Sequence, residues 1–191
     1  MKRYVVCITG ASGASIAVTL LKHLPGERHL IVSRDGEKIL RHECDLVPKD
    51  LLDKRTILHR NDDMEASVAS GSFLWDACIV VPCSMTTLAR ISTGLSDNLI
   101  SRVASIALKE RRRLIIVPRE TPLSDIHLRN MLEVSRAGAV VLPAMMTFYT
   151  KPGSIRDMVD FIAGRILDLL GEPHGLFSRW GEGRAAIKAR R

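Results

Sequence analysis

Aromatic residues are scarce in this chain. Two Trp, two Tyr and four Phe make up 4% of it. It therefore lacks the stacking surfaces that single-stranded nucleic acid needs, and it carries no recognisable RNA- or DNA-binding motif. The four cysteines form no C-x-x-C pair, which argues against a zinc centre. Cys7 and Cys78 lie in apolar runs and read as core thiols, whereas Cys83 follows an expected strand and is a candidate to line a site. The six histidines are scattered, and none stands in triad order with Ser12 or Cys83, so hydrolase chemistry has no support. No charge-free stretch reaches the roughly 20 apolar residues that a membrane-spanning helix requires. Met1-Lys2-Arg3 leads straight into an apolar run without the pattern of a signal peptide. A cytoplasmic protein is expected. There is no internal repeat and no low-complexity segment.

Length, an apolar content of 46% and a charged content of 26% suit one domain with a sizeable core. The net charge is +7. Residues 181–191 hold Arg184, Lys188, Arg190 and Arg191 against Glu182 and read as a basic, solvated, disordered tail. The positive excess on the remainder suits anionic small molecules.

The chain is organised around Cys7-Ile8-Thr9-Gly10-Ala11-Ser12-Gly13-Ala14. Tyr4–Ile8 reads as a buried strand, and Ala14, Ala17, Val18 and Leu21 lie on one side of a following helix. Such a turn offers free N–H groups and the positive end of a helix dipole to a phosphate, and Gly10 and Gly13 would let a ligand approach the backbone. Ser12 breaks the dinucleotide pattern G-x-G-x-x-G. No Gly-Lys-Ser/Thr ending makes it a P-loop, and Ala14 excludes a nucleophile elbow. A plain strand-to-helix turn with a packing serine is the alternative.

Further strands are expected at His29–Val32, Ala77–Val81, Leu114–Val117 and Ala139–Leu142. Helices are expected from Gly36, over Met85–Ser92, Leu99–Glu110 and Leu128–Arg136, and from a Ser154 cap to about Leu170. Residues 63–72, rich in small side chains, read as a further helix packed closely on a neighbour. Pro48–Asn61 shows no clear pattern. The alternation predicts an α/β fold, a Rossmann-like doubly wound parallel sheet in a single domain. Ligands of such sheets bind beyond the carboxyl ends of the strands, and Ser12, Ser33, Ser84, Thr86, Thr87, Arg119, Glu120 and Tyr149 all fall there. Ser84, Thr86 and Thr87 open a helix, where hydroxyls and first-turn N–H groups can meet an anion or simply cap. Pro118-Arg119-Glu120-Thr121-Pro122 holds a cation that can grip phosphate and a carboxylate that can relay a proton, unless the two merely pair with each other. Lys109–Arg113 is a charge run at a helix end, solvated unless one member turns inward. Arg165, beside an apolar stripe, either snorkels or meets an anion.

Gly10-Ala11-Ser12-Gly13-Ala14, Ala69-Ser70-Gly71-Ser72, Pro82-Cys83-Ser84, Leu108-Lys109-Glu110-Arg111-Arg112, Val117-Pro118-Arg119-Glu120-Thr121-Pro122-Leu123, Ile126-His127-Leu128, Phe148-Tyr149 and Arg179-Trp180 come in a distinctive order and spacing. From Lys2 to Trp180 the chain resembles the flavin prenyltransferases, the UbiX-like family. That resemblance implies a metal-free transfer of a dimethylallyl group from dimethylallyl monophosphate to N5 and then C6 of reduced FMN. The product, prenylated FMN, would serve a separate UbiD-type decarboxylase. It also implies a flavin-binding domain over 1–180 and a homo-oligomer, a trimer or dodecamer with the flavin at a subunit interface. Carried over position by position, Gly10, Ala11, Ser12, Ser33, Ser84, Met85, Thr86, Thr87, Arg102 and Arg119 would contact FMN. Lys109, Glu120, Tyr149 and Arg165 would surround the donor phosphate. Glu43 would assist proton transfer, with Lys109 and Glu120 the other catalytic groups, and Trp180 would close over the site. The chain departs from common family residues at Ile16-Ala17, Met64, Thr86 and Met146. The rival expectations are a related FMN-dependent decarboxylase and an FMN carrier subunit without transferase activity. Neither a nucleic acid nor a membrane is expected as partner.

Overall fold

The computed structural model describes residues 1–181, so all but the first residue of the expected basic tail lies outside the described residues. Among these residues six parallel strands form one sheet. They are β1 (Arg3–Ile8), β2 (Glu27–Val32), β3 (Thr56–Arg60), β4 (Ala77–Cys83), β5 (Arg113–Pro118) and β6 (Val140–Val141), in spatial order β3-β2-β1-β4-β5-β6. Six helices connect or flank them: α1 (Ala14–His23), α2 (Arg34–Cys44), α3 (Met85–Thr93), α4 (Leu99–Lys109), α5 (Asp125–Arg136) and α6 (Ile155–Leu170). This is the doubly wound order, in which the connections reverse direction between β1 and β4.

The central strands are apolar throughout because both faces are covered. Val5, Cys7, Cys78 and Val80 face a core shared with Leu88 of α3 and Leu99, Val103 and Ile106 of α4. Tyr4, Val6, Ile8, Ile79 and Val81 point the other way, onto Leu20 of α1 and Phe161, Ile162 and Ile166 of α6. Each fully buried Leu or Ile contributes about 2 kcal/mol of apolar transfer, so a charged residue at Ile79 would unfold the sheet from its centre.

Three helices start where the sequence signals a cap, with Ser84, Asn98 and Ser154 each accepting a first-turn N–H. α2 starts at Arg34, two residues before the expected Gly36, because Ser33 accepts the Gly36 N–H. α5 starts at Asp125, three residues before the expected Leu128, because Ser124 accepts the His127 N–H. Residues 63–72 are not a helix. They form turns and one short 3-10 turn at Ser67–Ala69, yet they do pack closely, since a Cβ on Gly71 would sit 2.6 Å from Glu110 Oε1. The unreadable stretch contains the edge strand β3. Cys83 is fully buried in the core, where desolvation pushes its thiol well above the ordinary range, so it lines no site. No helix among the described residues is long and apolar enough to cross a membrane.

Candidate active site

The reversal point of the sheet is pinned by a residue that sequence reasoning passed over. Thr9 Oγ1 donates to the Pro82 carbonyl and accepts from Ser84 N, both at 2.8 Å, which ties the loop after β1 to the loop after β4. Thr9 is buried, as a polar group so fully bonded can be. Its only signal was its place ahead of Gly10. Gly10 itself serves packing: an added Cβ would lie 2.6 Å from Asp35 Cβ, so glycine lets α2 approach the turn. Gly13 has φ of 114°, a conformation natural only to glycine.

Ser84 Oγ accepts from Thr87 N and donates to Thr87 Oγ1, while Ser33 Oγ accepts from Gly36 N at 3.0 Å. The first turns of α2 and α3 thereby converge on a cleft of about 290 Å³ lined by Gly10, Ser33, Arg34, Ser84, Thr86 and Thr87. Hydroxyls, remaining first-turn N–H groups and Arg34, which forms no ion pair among the described residues, suit a phosphomonoester. The two other charged side chains there are tied elsewhere, Arg90 to Asp97 at 3.0 Å and Asp35 to Lys38 at 2.7 Å. Asn61 also lines the cleft and accepts the Ile100 N–H at the start of α4; it lies at the end of the stretch without pattern.

At α1 the expectation of an open anion site needs correction. Glu43 Oε2 accepts from Gly13 N and Ala14 N, both at 2.9 Å, so a carboxylate from α2 already caps that helix. The helix starts that line the cleft are those of α2 and α3. Ser12 stays exposed beside the cap, and Ala11 is buried.

Beyond β5, Arg119 and Glu120 are exposed at the mouth of an apolar recess of about 560 Å³ that includes Leu123, Met131, Met146 and Phe148. They do not pair with each other; Glu120 Oε1 accepts the next backbone N–H, from Thr121, at 2.9 Å. Arg102 donates from Nε to the Ala69 carbonyl, and Met85 packs against the core at the start of α3. Tyr149 meets Trp180 edge-on at 5.3 Å and Phe161 at 5.9 Å, and one turn along α6 from Phe161 stands Arg165, half exposed and bonded to Asp168 at 2.9 Å. Sequence reasoning did not single out Asp168.

Within one chain Lys109 stands apart from Glu120. It ends α4 just before β5 begins at Arg113, while Glu120 follows the end of β5 at Pro118. A strand of six residues, roughly 20 Å, separates the two edges of the sheet. Within its own chain Lys109 pairs with Glu110, which holds that carboxyl below its ordinary range. Arg112 is the member of the charge run that turns inward, bonding the Gly71 and Phe73 carbonyls with its guanidinium over the Trp75 ring.

A sheet of this order with a polar cleft at its reversal point has the frame of a nucleotide-binding protein, and the Flavoprotein family model matches residues 1–167. The chain is 49% identical over 181 residues to the flavin prenyltransferase UbiX of Methanocaldococcus jannaschii, covering 94% of this chain and 98% of that one. The crystal structure of AnUbiX in complex with FMN and dimethylallyl pyrophosphate superimposes with a TM-score of 0.89 at 51% identity, over 94% of this chain and 97% of that one. The dodecameric FMN-dependent UbiX-like decarboxylase from Escherichia coli O157:H7 gives 0.89 at 41% identity, over 93% and 98%. The chain belongs to the Flavoprotein family and, within it, to the UbiX-like flavin prenyltransferases.

Proposed function

We propose that the protein joins a dimethylallyl group from dimethylallyl monophosphate to N5 and C6 of reduced FMN, and that the prenylated FMN passes to a UbiD-type decarboxylase. The observation that carries this reading is the polar cleft at the starts of α2 and α3, suited to the FMN phosphate, together with cations outside it, Arg119 beyond β5 and Arg165 on α6, that can serve a second anion. A flavin carrier would need only the first. The likeness to a structure holding both FMN and dimethylallyl pyrophosphate supports it.

Reduced FMN supplies the nucleophilic nitrogen and carbon at which the two new bonds form. Ser33, Ser84, Thr86 and Thr87 hold its phosphate, with Gly10, Ala11, Ser12, Met85 and Arg102 alongside the rest of the molecule. As the allylic carbon–oxygen bond breaks, negative charge grows on the departing phosphate, and Arg119, Arg165 and Lys109 stabilise it. Glu120 and Tyr149 hold or deliver a proton at the phosphate oxygens. Glu43, fixed by two N–H groups, accepts a proton as the ring closes. Trp180 and the apolar recess keep water from the allyl fragment. The four free thiols accord with work in the cytoplasm.

Because Lys109 lies at the far edge of its own sheet, it serves the site of a second subunit in a homo-oligomer. Lys109→Ala and Glu120→Gln should each lower prenylation about a hundredfold or more. Mixed oligomers of the two inactive chains should regain a clear part of the activity, since some sites then draw both intact residues from different subunits. Co-assembled oligomers that stay inactive would place Lys109 outside any shared site.

A further inference from the structure

Asp168 lies outside every role assigned above, yet three elements meet on its carboxylate. Oδ2 accepts from Arg165 Nη1 at 2.9 Å, and Oδ1 accepts from Arg179 Nη2 at 2.8 Å. His174 Nε2 stands 3.1 Å from the same Oδ1. Only 16% of the Asp168 side chain is exposed, against 46% for Arg165. Burial pushes the Asp168 carboxyl up, but the hydrogen bonds and charges of Arg179 and His174 outweigh it, and the group stays ionised below its ordinary range.

Phe161, Arg165 and Asp168 fall on one stripe of α6, at spacings of four and three residues. At the upper end of that stripe Tyr149 packs on Phe161 and Trp180. At the lower end Asp168 grips Arg179, the residue next to Trp180. Contacts and chain neighbours link Tyr149 through Trp180, Arg179 and Asp168 to Arg165.

We propose that Asp168 is a positioning residue for the transferase: it fixes the Arg165 guanidinium toward the donor phosphate and latches the Arg179-Trp180 segment over the same site. The proposal rests on the reading of Arg165 as a ligand of that phosphate. A half-exposed arginine left free would give up considerable rotamer freedom on binding; one already hydrogen-bonded at Nη1 gives up less, and its other N–H groups remain available. Two guanidinium groups share one carboxylate, so the cluster keeps a net positive charge toward an incoming anion even with His174 neutral. The carboxylate orients the cation without cancelling the attraction.

The test is a double-mutant cycle on the full-length protein, read as KM for dimethylallyl monophosphate and kcat, with FMN affinity and thermal midpoint measured alongside. Asp168→Asn keeps the side-chain shape and should raise KM for the donor roughly tenfold, with FMN affinity unchanged. Arg165→Met should raise the same KM, and Asp168→Asn should add little in that background. Asp168→Glu, which restores the charge, should recover part of the loss and serves as the probe should the Asn variant fold poorly. An unchanged donor KM in the Asp168 variants, or an equal effect with and without Arg165, overturns the positioning role. An unchanged donor KM in Arg165→Met would instead overturn the assignment of Arg165 itself.

Discussion

Glu43 reaches back thirty residues in sequence to the turn that opens α1. Two N–H groups that would otherwise lack an acceptor meet one carboxylate oxygen, beside the positive end of a helix dipole. Replacing it with leucine should destabilise the fold by about 1 kcal/mol, whereas Glu43→Gln keeps an acceptor and should cost less. Thermal or urea unfolding of the two variants checks this; equal stabilities for wild type and Glu43→Leu would show that the cap contributes nothing. Ser33, Ser84, Thr86 and Thr87 of the polar cleft were legible because each stands next to a strand end or helix start in the sequence, whereas Arg34 was not singled out and Asn61 fell in the stretch without pattern. Glu43 and Thr9 were harder to read in these structural roles because their partners are remote in sequence, whereas Asp168 was passed over with Arg165 only one helical turn before it. Likewise nothing in the charge run at 109–113 says that Arg112 is the member lying over Trp75, a ring brought there by the fold alone.

At the level of the elements, strong periodicity and caps gave five of the six strands and the positions of most helices. β3 escaped because an edge strand buries only part of itself: Thr56 is buried, Ile57 is exposed, and His59 breaks the apolar pattern. That histidine joins β3 to the sheet interior. His59 Nε2 stands 2.8 Å from His29 Nδ1, the rings stack at 5.1 Å, and His29 Nε2 meets Glu27 at 2.9 Å. Burial, and then the neighbouring His29, lower the His59 pKa, with Asp63 opposing them weakly. The unfolded chain takes up this proton near pH 6.5, the folded chain only at lower pH, so acidification favours the unfolded state. Stability should fall as pH drops from about 7 toward 5, and His59→Gln should flatten that slope while keeping a donor for His29. The carboxylates whose pKa values are lowered, such as Glu27, lose their contribution in a separate window below about pH 4.5. Denaturant titrations at several pH values check this, and an unaltered slope in His59→Gln would remove the pair as its source.

On the scale of the whole molecule, the sequence motifs run in one order along one chain, but the sheet sends them to opposite edges. Spacing along a sequence carries no information on which subunit supplies a residue, and so the separation of Lys109 from Glu120 emerged only with the topology. The region beyond β5 and β6 also exposes Ile126, Leu132, Met145, Met146 and Phe148, an apolar surface suited to a second copy of the chain that would bring Lys109 to it. Covalent transfer to the flavin is the central step of the proposed reaction. Its most direct test is anaerobic: purified protein with reduced FMN and dimethylallyl monophosphate, followed by mass spectrometry of the extracted flavin. FMN heavier by one C5H8 unit is expected, and none of that product with Glu120→Gln. Flavin that binds and leaves with unchanged mass would contradict it and would leave the protein as a flavin carrier.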